Sequence, residues 1–239
     1  MDSFVEDDRI LRRERELAGS RFHRTNRAMI AEVVRTIGNG QGRILEIGCG
    51  HGDITREYVA PHCASVVATD IVHRFRTEGA HNISFQVEDA LHLSFSDGSF
   101  DGVVSVDVIE HVEDDEGFVR ESIRVLKPGG TLFFTTPNRL RLSSVMRYFV
   151  GRPLKFPHVY YRDTVLGDIV HVREYSLLDM RNFVARFAIS SAEIRGVWFG
   201  IPSLRVGVAK PPRLLQRCAF SWHVRMIKHG SVDACVAEA

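Results

Sequence analysis

The run Glu46-Ile47-Gly48-Cys49-Gly50-His51-Gly52 sets three glycines at alternate positions between an apolar stretch and a helix-like one. Glycine permits positive φ and lets a ligand lie against bare backbone. A glycine turn that leaves a strand and opens a helix is the setting in which such a loop holds a nucleotide-like ligand. The G-x-G-x-G spacing departs from the dinucleotide pattern G-x-G-x-x-G. Carboxylates then recur at the ends of apolar runs: Asp70 after ASVVAT, Asp89 just past NISFQV, and Asp107 after FDGVVSV. An acid at Asp70 can accept hydrogen bonds from both hydroxyls of a ribose, and Asp89 from an adenine amino group. Taken singly, either acid would equally serve as a cap on a helix or turn. His111, in Ile109-Glu110-His111-Val112, is a candidate general base because imidazole titrates near neutrality. The competing reading is that Glu110 and His111 shape the loop or cap the next helix. His158, Tyr160, Tyr161 and His171 are further candidates on the acceptor side, and they read equally well as packing beneath a lid.

These groups need a scaffold that brings strand ends together. Residues 27–37 carry apolar side chains at helix spacing, and Gly38 and Gly40 stop the helix. Short apolar strands are then expected at 43–47, 64–70, 82–87, 100–107 and 131–136. Helices are expected at 53–60 and 114–126, the second with Glu113, Asp114, Asp115 and Glu116 where the dipole favours anions. Strands alternating with helices predict a parallel sheet with both faces covered. Ligands of such sheets lie beyond the carboxyl ends of the strands, where the glycine turn and the acids stand. After Pro137-Asn138 the rhythm breaks. Residues 139–173 read as irregular, a helix resumes at 176–187, a strand follows at 188–198, and 232–238 reads as the closing strand.

The ordered blocks ILEIGCGHGD, VVATDI, VEDA, FDGVVSVDVIEHV, VLKPGGTLFFTTPN and HVREYSLLDMRNFV resemble the successive motifs of class I S-adenosylmethionine (SAM)-dependent methyltransferases, in particular the ubiquinone-type O-methyltransferases and related small-molecule enzymes. The resemblance covers residues 20–198. It implies an α/β, Rossmann-like sheet of seven mostly parallel strands in the order 3-2-1-4-5-7-6, with strand 7 antiparallel and helices on both faces. It implies that Glu46, Gly48, Cys49 and Gly50 line the methionine and ribose portion of SAM, that Asp70 holds the ribose hydroxyls, and that Ile71 packs on the adenine. Asp89 and Ala90 would meet the adenine edge, and Asp107 and Val108 would lie beside the methionyl amine or the sulfonium. The segment FHRTNR resembles one in which an arginine contacts the cofactor carboxylate, which makes Arg27, or else Arg24, the candidate. The implied reaction is methyl transfer to a small-molecule acceptor, with oxygen favoured over nitrogen or carbon. Two rivals are a non-catalytic SAM-binding module and an NAD(P)-dependent oxidoreductase; the glycine spacing and the LKPGG block oppose the latter.

Composition narrows the partners. Among 239 residues the formal net charge is +1, so the whole chain is not a polyelectrolyte binder, and nucleic acid is a poor expectation without an (N/D)PP(Y/F) element after the fourth strand. Residues 139–173 nevertheless hold seven Lys/Arg against two acids, and 194–232 hold seven and none. Read as one basic amphipathic helix, 213–228 would present Arg213, Arg217, Arg225 and Lys228 to an anionic, amphiphilic acceptor or a membrane surface; the plainer reading is a solvated outer face. The four cysteines form no C-x-x-C pair, and no compact His/Asp/Glu cluster is evident, so no metal is expected. The organisation expected is one domain over 1–239, with a helical segment at 1–40, a basic and aromatic lid insertion at 139–173 and a second basic insertion at 200–230. The location expected is cytoplasmic, with peripheral contact at the inner membrane surface through 213–228.

Overall fold

A computed structural model describes residues 21–73, 75, 81–152, 158–164, 167–201, 204 and 206–230, with side chains from 158 to 169 undescribed. The segment 1–20 and the strand expected at 232–238 lie outside the described residues.

Seven strands form the central sheet: β1 (Arg43–Ile47), β2 (Ser65–Asp70), β3 (Ile83–Val87), β4 (Phe100–Val106), β5 (Leu126–Pro137), β8 (Ser191–Val197) and β11 (Ser221–Ile227). They lie in the order β3-β2-β1-β4-β5-β11-β8. The first five pair in parallel, and β11 runs antiparallel to both β5 and β8. That is the order 3-2-1-4-5-7-6 implied by the motifs. Two hairpins lie outside the sheet, β6 (His158–Thr164) with β7 (Gly167–His171) and β9 (Phe199–Ile201) with β10 (Val206–Val208).

Both faces are covered, as the apolar strands require. Helix α1 (Arg21–Gly38) buries Ile30 and Val34 against Ile44, Val66 and Phe133 on one face. On the other face, α2 (Asp115–Val125) and α4 (Leu177–Val184) bury Phe118, Val119, Met180 and Phe183 against Leu45, Val103, Leu132 and Phe134. The caps follow local chemistry. Asp114 accepts from the Gly117 N–H at 2.8 Å at the start of α2, and Ser176 and Asp179 form a reciprocal capping box on α4. The helix expected at 53–60 is a π-helical turn, Thr55–Val59, that tightens into a 3-10 turn, Ala60–His62.

The part beyond Pro137 differs from its sequence reading. Residues 139–173 contain a helix, α3 (Leu142–Phe149), and the β6–β7 hairpin. Residues 213–228 are not an amphipathic helix. Only α5 (Arg213–Gln216) is helical, and Ser221–Ile227 is the closing strand expected at 232–238. The apolar positions Trp222, Val224 and Met226 alternate, which is strand period, and β11 lies between β5 and β8. Between the apolar positions, His223 is buried and Arg225 half-buried. His223 Nε2 lies 2.6 Å from Asn26 Oδ1, and burial pushes its imidazole down to about 3, so it stays neutral. The second basic insertion thus contributes a core element, and the membrane-contact reading of 213–228 loses its helix. Among the described residues, no helix is long and apolar enough to cross a membrane.

Candidate functional site

The glycine turn wraps the end of β2. Gly48 and Cys49 donate their N–H groups to the Thr69 carbonyl at 2.8 and 2.9 Å, and Gly50 donates to Asp70 Oδ2 at 2.8 Å. Gly48 has φ +77°, and a Cβ there would stand 2.3 Å from the Val108 side chain, so no other residue fits. At Gly50, φ is +56° and a Cβ would meet nothing within 4 Å; its bare backbone faces open space. Asp70, buried at the strand end, also accepts from the Val72 N–H at 3.3 Å. The next side chain, Ile71, is 68% exposed at the lip of the crevice, an apolar surface placed to cover a flat ring. Cys49 is buried in the core, in keeping with a packing role.

Glu46 sits beneath this turn, fully enclosed. Burial pushes its carboxyl up to about 7, the neighbouring Thr55 hydroxyl pulls it down, and the Asp70 charge adds to the rise. Its Oε2 is buried without a hydrogen-bond partner, which leaves an acceptor for a cationic or N–H group entering the site. The guanidinium of Arg27 lies 5.8 Å from the Tyr58 ring centre, against the segment that follows the turn, whereas Arg24 is exposed. Asp89 is also exposed. The Leu91 N–H at 2.9 Å, with His92 Nδ1 at 3.1 Å, holds its carboxyl below the usual range. Ala90 packs on the core beside it.

Past β4, Asp107 takes φ +54°, a strained backbone for a non-glycine residue, and its Oδ1 accepts from Thr135 Oγ1 at 2.8 Å. It keeps solvent access while protein crowds its carboxyl; that crowding raises it above its ordinary range, and Thr135 and His171 oppose the rise. Val108 begins the 3-10 turn Ile109–His111. Glu110 is buried, accepts from Thr136 Oγ1 at 3.0 Å, and is driven well above its ordinary range by burial and by the nearby Asp107 and Glu174 charges. His111 Nδ1 lies 2.9 Å from the Val170 carbonyl, and its ring meets His171 edge-on at 4.7 Å. His171 is buried, with Nδ1 3.0 Å from Glu174 Oε1; Glu174 Oε2 takes Arg141 Nη1 at 2.5 Å.

The structure therefore joins His111 and His171 in one cluster. Tyr160 and Tyr161 lie on β6, the strand paired with the one that carries His171, and their side chains fall outside the described residues. The expectation of no compact ligand cluster is corrected. One donor atom each from Glu110, His111 and His171 lie within 4.8 Å of one another, a set able to hold a metal ion. The long stretch of sequence between His111 and His171 conceals it. Sequence reading also missed Glu174 and Arg141, although the His171-x-x-Glu174 spacing was a signal.

A family model described as a methyltransferase domain matches residues 45–134, the stretch from the glycine turn to β5. A ubiquinone biosynthesis O-methyltransferase from Xanthomonas campestris is 30% identical over 156 residues, which make up 60% of this chain and 65% of that protein. Two solved structures share the fold. A SAM-dependent methyltransferase from Thermotoga maritima, described as a possible histamine N-methyltransferase, has TM-score 0.63 at 19% identity, over 92% of this chain and 97% of its own. An N-methyltransferase from Bradyrhizobium japonicum, in complex with S-adenosyl-L-homocysteine, has TM-score 0.58 at 19% identity, over 94% and 93%. The motif order, the sheet order and the match of 45–134 to a methyltransferase domain agree in supporting a class I SAM-dependent methyltransferase.

Proposed function

We propose that this chain binds SAM in the crevice above β1, β2 and β4 and transfers its methyl group to an oxygen of a small, anionic or amphiphilic acceptor. The observation that carries the reading is the pairing of a bare-backbone turn at Gly48–Gly50 with the buried Asp70 carboxylate beneath the exposed Ile71. Asp70 would accept from the ribose hydroxyls, Ile71 would cover one face of the adenine, and Asp89 and Ala90 would border its edge. The unpartnered Glu46 oxygen would meet the methionyl amine, with Arg27 toward the carboxylate. SAM supplies an activated methyl on a sulfonium whose leaving group is neutral, so the protein needs no oxyanion hole. What the chain must add is alignment, exclusion of water, and removal of the acceptor's proton. The His111–His171 cluster past β4 would serve that last task.

Oxygen is favoured by the relative named as an O-methyltransferase. The two structural neighbours named for N-methylation favour the second reading, an amine acceptor, which needs no base once neutral. Calorimetry on the purified chain tests the cofactor. SAM should bind, and Asp70→Asn should weaken it tenfold or more, since a hydrogen bond to a charged group is worth about 1.5–3 kcal/mol. Incubation with methyl-labelled SAM and a metabolite extract tests the acceptor, with mass spectrometry locating the label. Absence of SAM binding sinks the whole reading, and label found only on amines replaces oxygen by nitrogen.

A further inference from the structure

Helix α3 turns its apolar side outward. Leu142, Val145, Met146 and Phe149 fall on one stripe, spaced i, i+3, i+4 and i+7, while Ser144 stands on the opposite side. A helix that covers a core buries its apolar stripe. Here the residue buried is Ser144, and every residue from Met146 to Arg152 is exposed. Tyr148 is 65%, Phe149 81% and Val150 73% exposed. The hairpin strand β9 lies beside α3, and Val206 and Val208 on its partner β10 are exposed as well. Single exposed apolar groups are ordinary, but a contiguous apolar projection marks a contact surface.

The charge around this projection has one sign. Residues 139–152 carry four arginines and no acid. Arg139 and Arg141 are taken up by Asp179 and Glu174, which fastens the root of α3 to the body of the protein. Arg147 and Arg152 are exposed and flank Tyr148-Phe149-Val150. A second copy fits this surface poorly. An isologous contact sets a patch against itself, so these arginines would meet their own counterparts with no acid in the segment to pair them. Anionic lipid headgroups supply the missing charge, and the acyl layer accepts the apolar side chains. Tyrosine suits the boundary between them, with an apolar ring and a polar hydroxyl.

We propose that the tip of α3, from Met146 to Arg152, docks on an anionic phospholipid bilayer, with Tyr148, Phe149 and Val150 in the headgroup boundary and Arg147 and Arg152 on the headgroups. The contact then lies in the first insertion rather than at 213–228, and a short apolar wedge takes the place of a long basic stripe. Helix α3 leaves β5 just past Asn138, at the carboxyl edge of the sheet where the glycine turn and Asp107 stand. Docking brings that edge toward the bilayer, where an amphiphilic acceptor would be held. This last consequence rests on the methyl-transfer reading; lipid binding itself does not.

Cosedimentation of the full chain with vesicles tests the proposal, phosphatidylcholine alone against phosphatidylcholine mixed with phosphatidylglycerol. Binding should require the mixed vesicles and weaken as salt is added. Phe149→Ser should weaken it about tenfold or more, the scale of withdrawing one large side chain from an apolar environment. Arg147→Gln with Arg152→Gln should weaken it by more than about tenfold and flatten the salt dependence, since each cation near an anionic surface contributes roughly fivefold. The emission of Phe149→Trp should shift to the blue with mixed vesicles. These side chains are exposed, so thermal unfolding midpoints should match the parent's and show that the variants fold. The proposal is overturned if the parent stays in solution with mixed vesicles, if both vesicle types bind equally, if Phe149→Ser binds as tightly as the parent, or if the Phe149→Trp emission ignores the vesicles. A parent dimer in analytical ultracentrifugation that Phe149→Ser splits also overturns it, because a second copy is then the occupant. Calorimetry with SAM separates the two readings: a parent that binds mixed vesicles but no SAM fails the methyltransferase reading and sustains this one.

Discussion

Gly50 and Asp70 reach each other across 20 residues, whereas His111 meets Val170 across 59 and Trp222 reaches the Tyr175 carbonyl across 47. The first set forms the cofactor side of the sheet, the second the acceptor side. On the cofactor side each contact joins the end of one strand to the turn after its neighbour, so the β-α-β rhythm alone brings the partners together. The acceptor side is assembled from α3, the β6–β7 hairpin, the turn into α4 and the late strand β11, and none of these announces its neighbours locally. A family can keep the first arrangement while varying the second, and so the glycine turn speaks of the cofactor and not of the acceptor.

The largest expected effect breaks the acceptor side. Trp222 on β11 is fully buried, and its indole N–H donates to the Tyr175 carbonyl at 2.9 Å, tying the closing strand to the chain just after Glu174. Trp222→Ala should cost about 3–5 kcal/mol of stability, the range for emptying a core site of this size. Urea unfolding monitored by circular dichroism measures it. A loss under ~1 kcal/mol would mean that 221–227 lies on the surface and would return the helical reading.

That helical reading shows where sequence legibility ends. From 21 through Pro137 the expected strands and the helices at 27–37 and 114–126 are present among the described residues, because apolar runs, glycine stops and acidic first turns act within a few residues. Residues 213–228 misled because Leu215, Cys218, Ala219, Trp222 and Met226 fit a helical stripe while Trp222, Val224 and Met226 fit a strand. The decision rests on β5 and β8, whose open edges take β11 between them, and that is tertiary context. Arg225 looked like surface charge for the same reason. Gly48, Gly50 and Asp70 were readable because their spacing is itself the geometry. Arg141 was not, because an ion pair between residues 33 apart has no pattern at that spacing, and Glu174 was signalled only by its place three residues after His171.

A middle-sized effect sharpens the cofactor side through pH. The Glu46 carboxyl rises on folding from about 4.5 to about 7, so the folded chain binds the extra proton between those values and its stability falls as pH rises through them. Glu46→Gln has no proton to lose. Relative to wild type it should gain on the order of 3 kcal/mol between pH 4.5 and 8, since each tenfold change in proton affinity is worth about 1.36 kcal/mol. Comparing the two proteins at each pH cancels His223, whose lowered titration works in the opposite sense by adding stability as pH rises toward 6.5. Denaturant midpoints that stay parallel across that range would show that Glu46 is ionised throughout and already paired.

The smallest effect belongs to the basic residues that first suggested a membrane face. Arg213 and Arg217 are exposed, α5 is four residues long, and Leu214 beside them is 79% exposed. Arg213→Gln with Arg217→Gln should shift stability by less than ~0.5 kcal/mol, the usual range for surface changes that break no cap or buried bond. Binding to anionic vesicles should change little as well, because a single helical turn cannot lay a continuous basic stripe on a lipid surface, and Arg225, the next cation along, belongs to the buried strand. A marked loss of vesicle cosedimentation in the double variant would mean that two exposed cations suffice without a helix, and the contrast between a core strand and a surface face in this stretch would then have to be redrawn.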